Sequence, residues 1–196
     1  MLAAHPELRQ LAGPLWTTGA WTIGFVSAQI GLALLVANRS WLIWLPTAYL
    51  AGPTLDHALW VLIHDCCHNL VSHRRWVNRA TALIANLPMV VPAAMSFCKY
   101  HLLHHRHLGE QDLDADLAGP TESRIVGQSS VRKMLWLASM SLVLGTIRPR
   151  RMKGVPLVDR WIVINAATQL VVISVLIWWA GAAPLKYLLA STILAV

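Results

Sequence analysis

At 196 residues, with 56% hydrophobic side chains, a mean hydropathy of +0.52 and only 13% charged residues, the chain has a membrane protein's composition and not a soluble domain's. Its net charge of +7 is concentrated, because thirteen of the sixteen Lys and Arg lie between Cys66 and Trp161. With no motif that interleaves aromatic and basic residues, that excess excludes a nucleic-acid partner and points to a surface facing anionic lipid.

Met1 to Gln10 lacks a basic leader and a small-residue cleavage site, so the first apolar segment is expected to be a retained anchor. Gln10 to Asn38 is uncharged, and its core at 15–37 is long enough to cross a hydrocarbon layer of about 30 Å. After a short turn at Asn38-Arg39-Ser40, a second candidate span covers 41–63 and carries Pro46, Pro53, Asp56 and His57. That composition predicts an irregular helix packed against others, returning the chain to the side of its N-terminus. The uncharged stretch 80–98 holds Pro88 and Pro92 and is expected to lie in the interface or dip in and return. The apolar run 134–147 spans only about 21 Å as a helix, too short to cross, and is flanked by basic residues. A third span covers 161–183, and a fourth begins at 184 and continues to 196. The expected fold is all-α: a polytopic integral membrane protein of helical hairpins, forming one partial domain over 1–196. Basic loops at Arg74–Arg79 and Arg148–Lys153, against a lone Arg39 and Lys186, orient the histidines toward the cytoplasm. Trp41, Trp44, Trp60, Trp136, Trp161, Trp178 and Trp179 read as border markers.

Two histidine clusters carry the chemistry. His64-Asp65-Cys66-Cys67-His68 is H-x-x-x-H, and His101-Leu102-Leu103-His104-His105 is H-x-x-H-H. On helices these spacings set each cluster's imidazoles on one face, and two such faces can surround a metal. Imidazoles suit iron, zinc, copper or nickel. Five of them without thiolate spacing favour two metals in one pocket over a single zinc site. The zinc-protease pattern H-E-x-x-H is not matched, since Asp65 stands where Glu is needed and the second cluster has no role there. Cys66, Cys67 and Cys98 form no C-x-x-C pair and are expected to be reduced thiols.

The stretch Gly52 to Pro120 resembles the membrane fatty-acyl desaturase and hydroxylase superfamily, particularly its sphingolipid Δ4-desaturase branch. The similarity rests on Asp56-His57, His64-Asp-Cys-Cys-His68-Asn69, Ala85-Asn86-Leu87-Pro88, Val91-Pro92 and Ser96-Phe97. It continues through Lys99-Tyr100-His101 and His104-His105-Arg106-His107-Leu108-Gly109 to Asp112, Asp114 and Asp116. The resemblance implies a non-haem diiron centre with His64, His68, His101, His104 and His105 as ligands and dioxygen as co-substrate. It also implies a long-chain fatty acyl or sphingoid substrate and an electron-transfer protein such as cytochrome b5 or a ferredoxin. Such enzymes carry a third histidine box after a second helix pair, and no histidine follows His107 here. The expectation is therefore an N-terminal portion of a desaturase whose diiron centre is incomplete by itself. The alternatives are a lipid hydroxylase of the same superfamily and a non-catalytic truncated membrane homologue.

Supporting positions are expected at His57, Asp65, Asn69, His107 and Asp112, where a polar side chain could orient a ligand histidine. His73 is expected to be solvated, and Asp56 to orient His57 or meet a lipid head group. The spacing of Asp112, Asp114 and Asp116 fails as a calcium loop, with Leu117 in place of Gly and Ser123 in place of Glu. Those carboxylates are better suited to holding histidines or basic loops.

Overall fold

A computed structural model describes residues 13–140 and 143–195. The leader reading at Met1 to Gln10 lies outside the described residues, as do two positions of the 134–147 stretch and the last position of 184–196. Among the described residues the fold is all-helical, with no strand.

Helix α1 (Thr17–Val36) and helix α9 (Arg160–Ala180) are the two described helices long and apolar enough to cross a membrane. The stretch 41–63 is not one helix: α2 (Trp41–Leu50) and α3 (Gly52–Cys67) meet at Ala51. Pro53 has no N–H to continue the ladder, which accounts for the interruption. Ser40 caps α2 by accepting from the Leu42 N–H. The 80–98 stretch is likewise divided. It comprises the end of α4 (Arg75–Asn86), a single 3-10 turn at Leu87–Met89, and the start of α5 (Ala94–Arg106).

Short helices α6 (Pro120–Val126), α7 (Ser130–Ala138) and α8 (Arg148–Arg151) follow, with a π-helical turn at Val143–Ile147 before α8. Helix α10 (Ala183–Leu194) packs back against α1, α2 and α3.

Helix α3 is central and touches α1, α4, α5 and α10. Its Leu59, Ile63, Cys66 and Cys67 join Val26 of α1, Ala82 and Ala85 of α4, and Met95 of α5 in the main core. Ala82 and Ala85 are fully buried, and side chains this small let α4 lie close on α3. Gly52 serves the same purpose at the other end of α3, since a Cβ there would meet Ser191 Oγ at 2.5 Å.

Polar side chains fasten these apolar helices. Gln29 of α1 donates to Asp56 at 2.9 Å, Ser191 donates to Asp56 at 2.5 Å, and Tyr187 donates to Gln29 at 3.1 Å. Asp56 is fully buried in this network. It orients neither His57 nor a head group, because adjacent helical residues point about 100° apart at 3.6 residues per turn. Helix α9 presents Leu170, Val171, Val175, Trp178 and Trp179 outward. It meets the body through Asn165 and Gln169, an i, i+4 pair.

Candidate metal centre

Local sequence sets where each histidine sits. Helix α3 ends in a left-handed residue, Asn69, at φ 59°. The Asn69 N–H donates to the Cys66 carbonyl at 3.1 Å and the Leu70 N–H to the Asp65 carbonyl at 2.9 Å. This is the Schellman pattern, and Asn is the residue after Gly that best tolerates its φ. Asn69 therefore stops the helix immediately after His68. That is a structural role in place of the contact to a histidine expected from its position.

The start of α5 is set by Asn86. Its Oδ1 accepts from the Ala93 and Ala94 N–H groups at 3.0 and 3.1 Å, and its Nδ2 donates to the Val91 carbonyl. Asn165 of α9 donates to the same Oδ1 at 2.9 Å and accepts from the Met95 N–H at 3.1 Å. Two side chains thus satisfy the first N–H groups of α5, which have no partner within the helix. The chain between them passes through Val90 at φ 61°, a costly conformation for a β-branched residue.

The two clusters then face each other. His64, His68, His101 and His105 each offer a ring nitrogen, and these atoms lie within 4.8 Å of one another. His101 Nε2 is 3.0 Å from His68 Nε2 and 3.0 Å from His105 Nε2. A neutral ring nitrogen has one N–H or one lone pair, so it cannot make a linear bond to both neighbours. A cation among the three would engage every lone pair. Two ligands about 2.1 Å from one ion and at right angles to it stand about 3 Å apart, so the spacing fits. Phe97 stacks on His101 at 5.1 Å, and Trp60 meets Phe97 edge-on at 5.3 Å.

Burial, followed by the neighbouring His64, His105, His68 and His104 rings, pushes His101 down to about 4. Burial and the rings of His64 and His105 lower His68 as well. Both are therefore neutral at pH 7, the state a metal ligand requires.

His104 stands apart. In a helix, residues three and four positions from His101 diverge by about 100°. His105 thus turns toward α3 and His104 toward the loop after α5. His104 Nδ1 lies 2.8 Å from Asp114 Oδ1 and 3.6 Å from Asp116 Oδ2. Asp114 is fully buried, and it also accepts from the Gly109 N–H at 3.0 Å and the Asp116 N–H at 2.8 Å. Burial alone would raise this carboxyl, but those N–H groups and His104 outweigh it and hold it below the ordinary carboxylate range. The result is a carboxylate–histidine pair that engages His104 through Nδ1 and leaves its Nε2 unbonded among the described residues.

Two arginines of α8 clamp the loop that carries Asp114. Arg148 is buried, donates to both Glu122 oxygens at 3.1 and 2.7 Å, and reaches the Asp116 carbonyl at 2.5 Å. Arg151 donates to the Leu117 and Asp114 carbonyls at 2.8 and 3.2 Å.

The other expected supporting residues fall elsewhere. Asp112 pairs with Lys153 at 2.8 Å on the surface, so Asp114 is the loop carboxylate that reaches a histidine. Asp65 lies 3.8 Å from His64 Nδ1, beyond hydrogen-bond distance. His107 lies 3.3 Å from Glu110, and His57 and His73 are exposed. The reduced-thiol expectation is corrected at two of three positions. Cys67 and Cys98 form a disulfide with Cα atoms 5.1 Å apart, and only Cys66 is free. The pairing arises because α3 and α5 lie side by side, which residue spacing alone does not show.

A family model described as fatty acid desaturase matches residues 39–196. The sphingolipid delta(4)-desaturase DES1-like protein of Oryza sativa subsp. japonica is 33% identical over 192 residues, covering 98% of this chain and 58% of that relative. The sphingolipid delta(4)-desaturase of Komagataella phaffii is 32% identical over 197 residues, covering 100% and 54% respectively. The sphingolipid delta(4)-desaturase/C4-monooxygenase DES2 of Mus musculus is 35% identical over 205 residues, covering 99% and 60%. The chain thus spans a little over half the length of the curated relatives it matches. No solved structure matches it. Histidine boxes brought face to face on neighbouring helices accord with these matches along almost the whole chain, and the chain belongs to the fatty acid desaturase family.

Proposed function

We propose that this chain forms the first two histidine boxes of an oxygen-dependent lipid desaturase, acting on a fatty acyl or sphingoid chain. The observation that carries the reading is the convergence of His64 and His68 from α3 with His101 and His105 from α5. These four would hold one iron. His104, with its Nδ1 engaged by Asp114, would offer its Nε2 to a second iron. Bound iron would supply the dioxygen chemistry that removes hydrogen from an unactivated C–H bond, which no side chain can do alone.

The chain's own groups do the rest. The neutral rings of His68 and His101 present lone pairs, Asp114 sets the tautomer of His104, and Phe97 holds the His101 ring in plane. The arginine-clamped loop keeps Asp114 in place. The substrate would be an apolar chain reaching the centre from the bilayer, and the electrons would come from a separate carrier protein.

The reading includes a multi-pass membrane topology with the boxes on the cytoplasmic side. The apolar exteriors of α1 and α9 and the basic residues around the boxes support it. A second reading, hydroxylation, is favoured by one observation: the Mus musculus relative is named for both desaturase and C4-monooxygenase.

The test is expression of the complete gene product in cells lacking the activity, with lipid mass spectrometry. Loss of two hydrogens from a long-chain base or acyl chain identifies a desaturase, and gain of one oxygen a hydroxylase. If neither product appears while the protein holds iron, the catalytic reading fails. Absence of iron in the purified protein would remove its basis.

A further inference from the structure

His68 also lines a cavity of about 480 Å³, within the usual range for small-molecule sites of about 300–1,000 Å³. The Cys67–Cys98 disulfide lies in its wall, and Arg75 and Arg79 of α4, Lys99 and Arg106 of α5, and Asp159 and Trp161 at the head of α9 line it.

Asp159 is already engaged. It caps α9 by accepting from the Trp161 and Ile162 N–H groups at 2.8 and 3.1 Å, and it pairs with Lys99 at 3.4 Å. Lys99 also donates to the Pro156 carbonyl. Four cations against one carboxylate leave three positive charges uncompensated. Those charges are the guanidiniums of Arg75, Arg79 and Arg106, none of which forms an ion pair among the described residues. Arg79 lies over the Trp161 ring at 4.4 Å, which steadies the group while leaving its N–H edge free.

Three unpaired arginines lining one cavity suit one ligand chemistry above others, the tetrahedral oxyanion of a phosphate, which accepts paired N–H bonds. The position matters as much as the charge. Trp161 lies in the first turn of the apolar helix α9, so the cavity opens at the depth where that helix would leave the hydrocarbon. Basic pockets between helices at this level recognise phospholipid head groups.

We infer that this cavity is a phosphate-binding site at the membrane border, built to take a phosphate-bearing head group beside the first histidine box. The inference rests on the membrane topology of the proposed reading but not on its chemistry, since the site uses neither iron nor catalysis.

The test uses the metal-free full chain in nanodiscs of phosphatidylcholine containing a minor fraction of phosphatidic acid. Native mass spectrometry reads the lipid that stays bound, and inorganic pyrophosphate is titrated in a second arm. The wild type is expected to retain phosphatidic acid at least tenfold over Arg75→Gln/Arg79→Gln/Arg106→Gln, and pyrophosphate is expected to displace it. A control with two cations removed elsewhere, Arg150→Gln/Lys153→Gln, is expected to retain lipid as the wild type does. The single exposed Arg106→Gln variant guards against misfolding and is expected to show an intermediate loss. Pyrophosphate binding without lipid retention would uphold the phosphate site and assign a soluble ligand. Equal retention by wild type and triple variant with no pyrophosphate binding, or equal loss in the distant control, would overturn it.

Discussion

Asp114 shows how much one residue can govern in this chain. It is buried, charged, and bonded to His104 and two backbone N–H groups, while Asp112 two positions earlier is spent on Lys153 at the surface. Asp114→Asn is expected to weaken metal binding about 10–100-fold, as removal of a carboxylate behind a ligand histidine does. Asp112→Asn is expected to leave it unchanged, with both read by competition against a chelator. The depressed His101 makes a second residue-level prediction for the metal-free chain. Its ordinary value is 6.5 and its folded value about 4, so between these the unfolded chain binds more protons than the folded one. Stability from this group is complete above about pH 6.5 and is lost as pH falls toward 4. The melting temperature should drop over that window, and His101→Gln should flatten the slope. An unchanged slope in the variant would show that other groups carry it.

At the scale of elements, the second box is placed by a helix start rather than by the box itself. Asn86 accepts from Ala93, Ala94 and Asn165, so Asn86→Ala leaves several buried donors unpaired at a cost of about 1–3 kcal/mol each. The expected result is a lower melting temperature together with reduced metal retention, because α5 loses its anchor to α9. Leu87-Pro88 beyond it is a conspicuous sequence signal, but the partner Asn165 lies 79 residues away. Nothing in an uncharged run such as 161–183 marks which polar residue faces a neighbour. The same limit hid the Cys67–Cys98 bond, which depends on the relative positions of α3 and α5 and not on spacing within either.

For the whole molecule, the apolar exterior of α9 and the exposed Trp41, Trp178 and Trp179 present a surface that water would not stabilise. The buried Gln29, Asp56, Tyr187 and Ser191 network lies inside it, as expected where apolar helices in lipid need hydrogen bonds to associate specifically. The proposed topology predicts that a maleimide reagent applied to sealed vesicles reaches Ser40→Cys from one side and Ser123→Cys from the other. These variants would be made on a background with Cys66 replaced by Ala. Labelling of both from the same side would overturn the arrangement of the first helical hairpin.

The histidine boxes, the apolar segments and the family resemblance were legible from residue order, because ligand spacing on a helix and hydropathy are local properties. Asn69 was visible as a motif position, and its φ of 59° explains it as the stop that leaves His68 at the end of α3. Which imidazoles meet was decided only by the tertiary structure. His64, His68, His101 and His105 converge while His104 turns to Asp114, because α3 and α5 pack at one relative rotation. The disulfide, the arginine-clamped loop and the cavity lined by Arg75, Arg79 and Arg106 follow from that packing too, since each joins groups that are far apart along the chain.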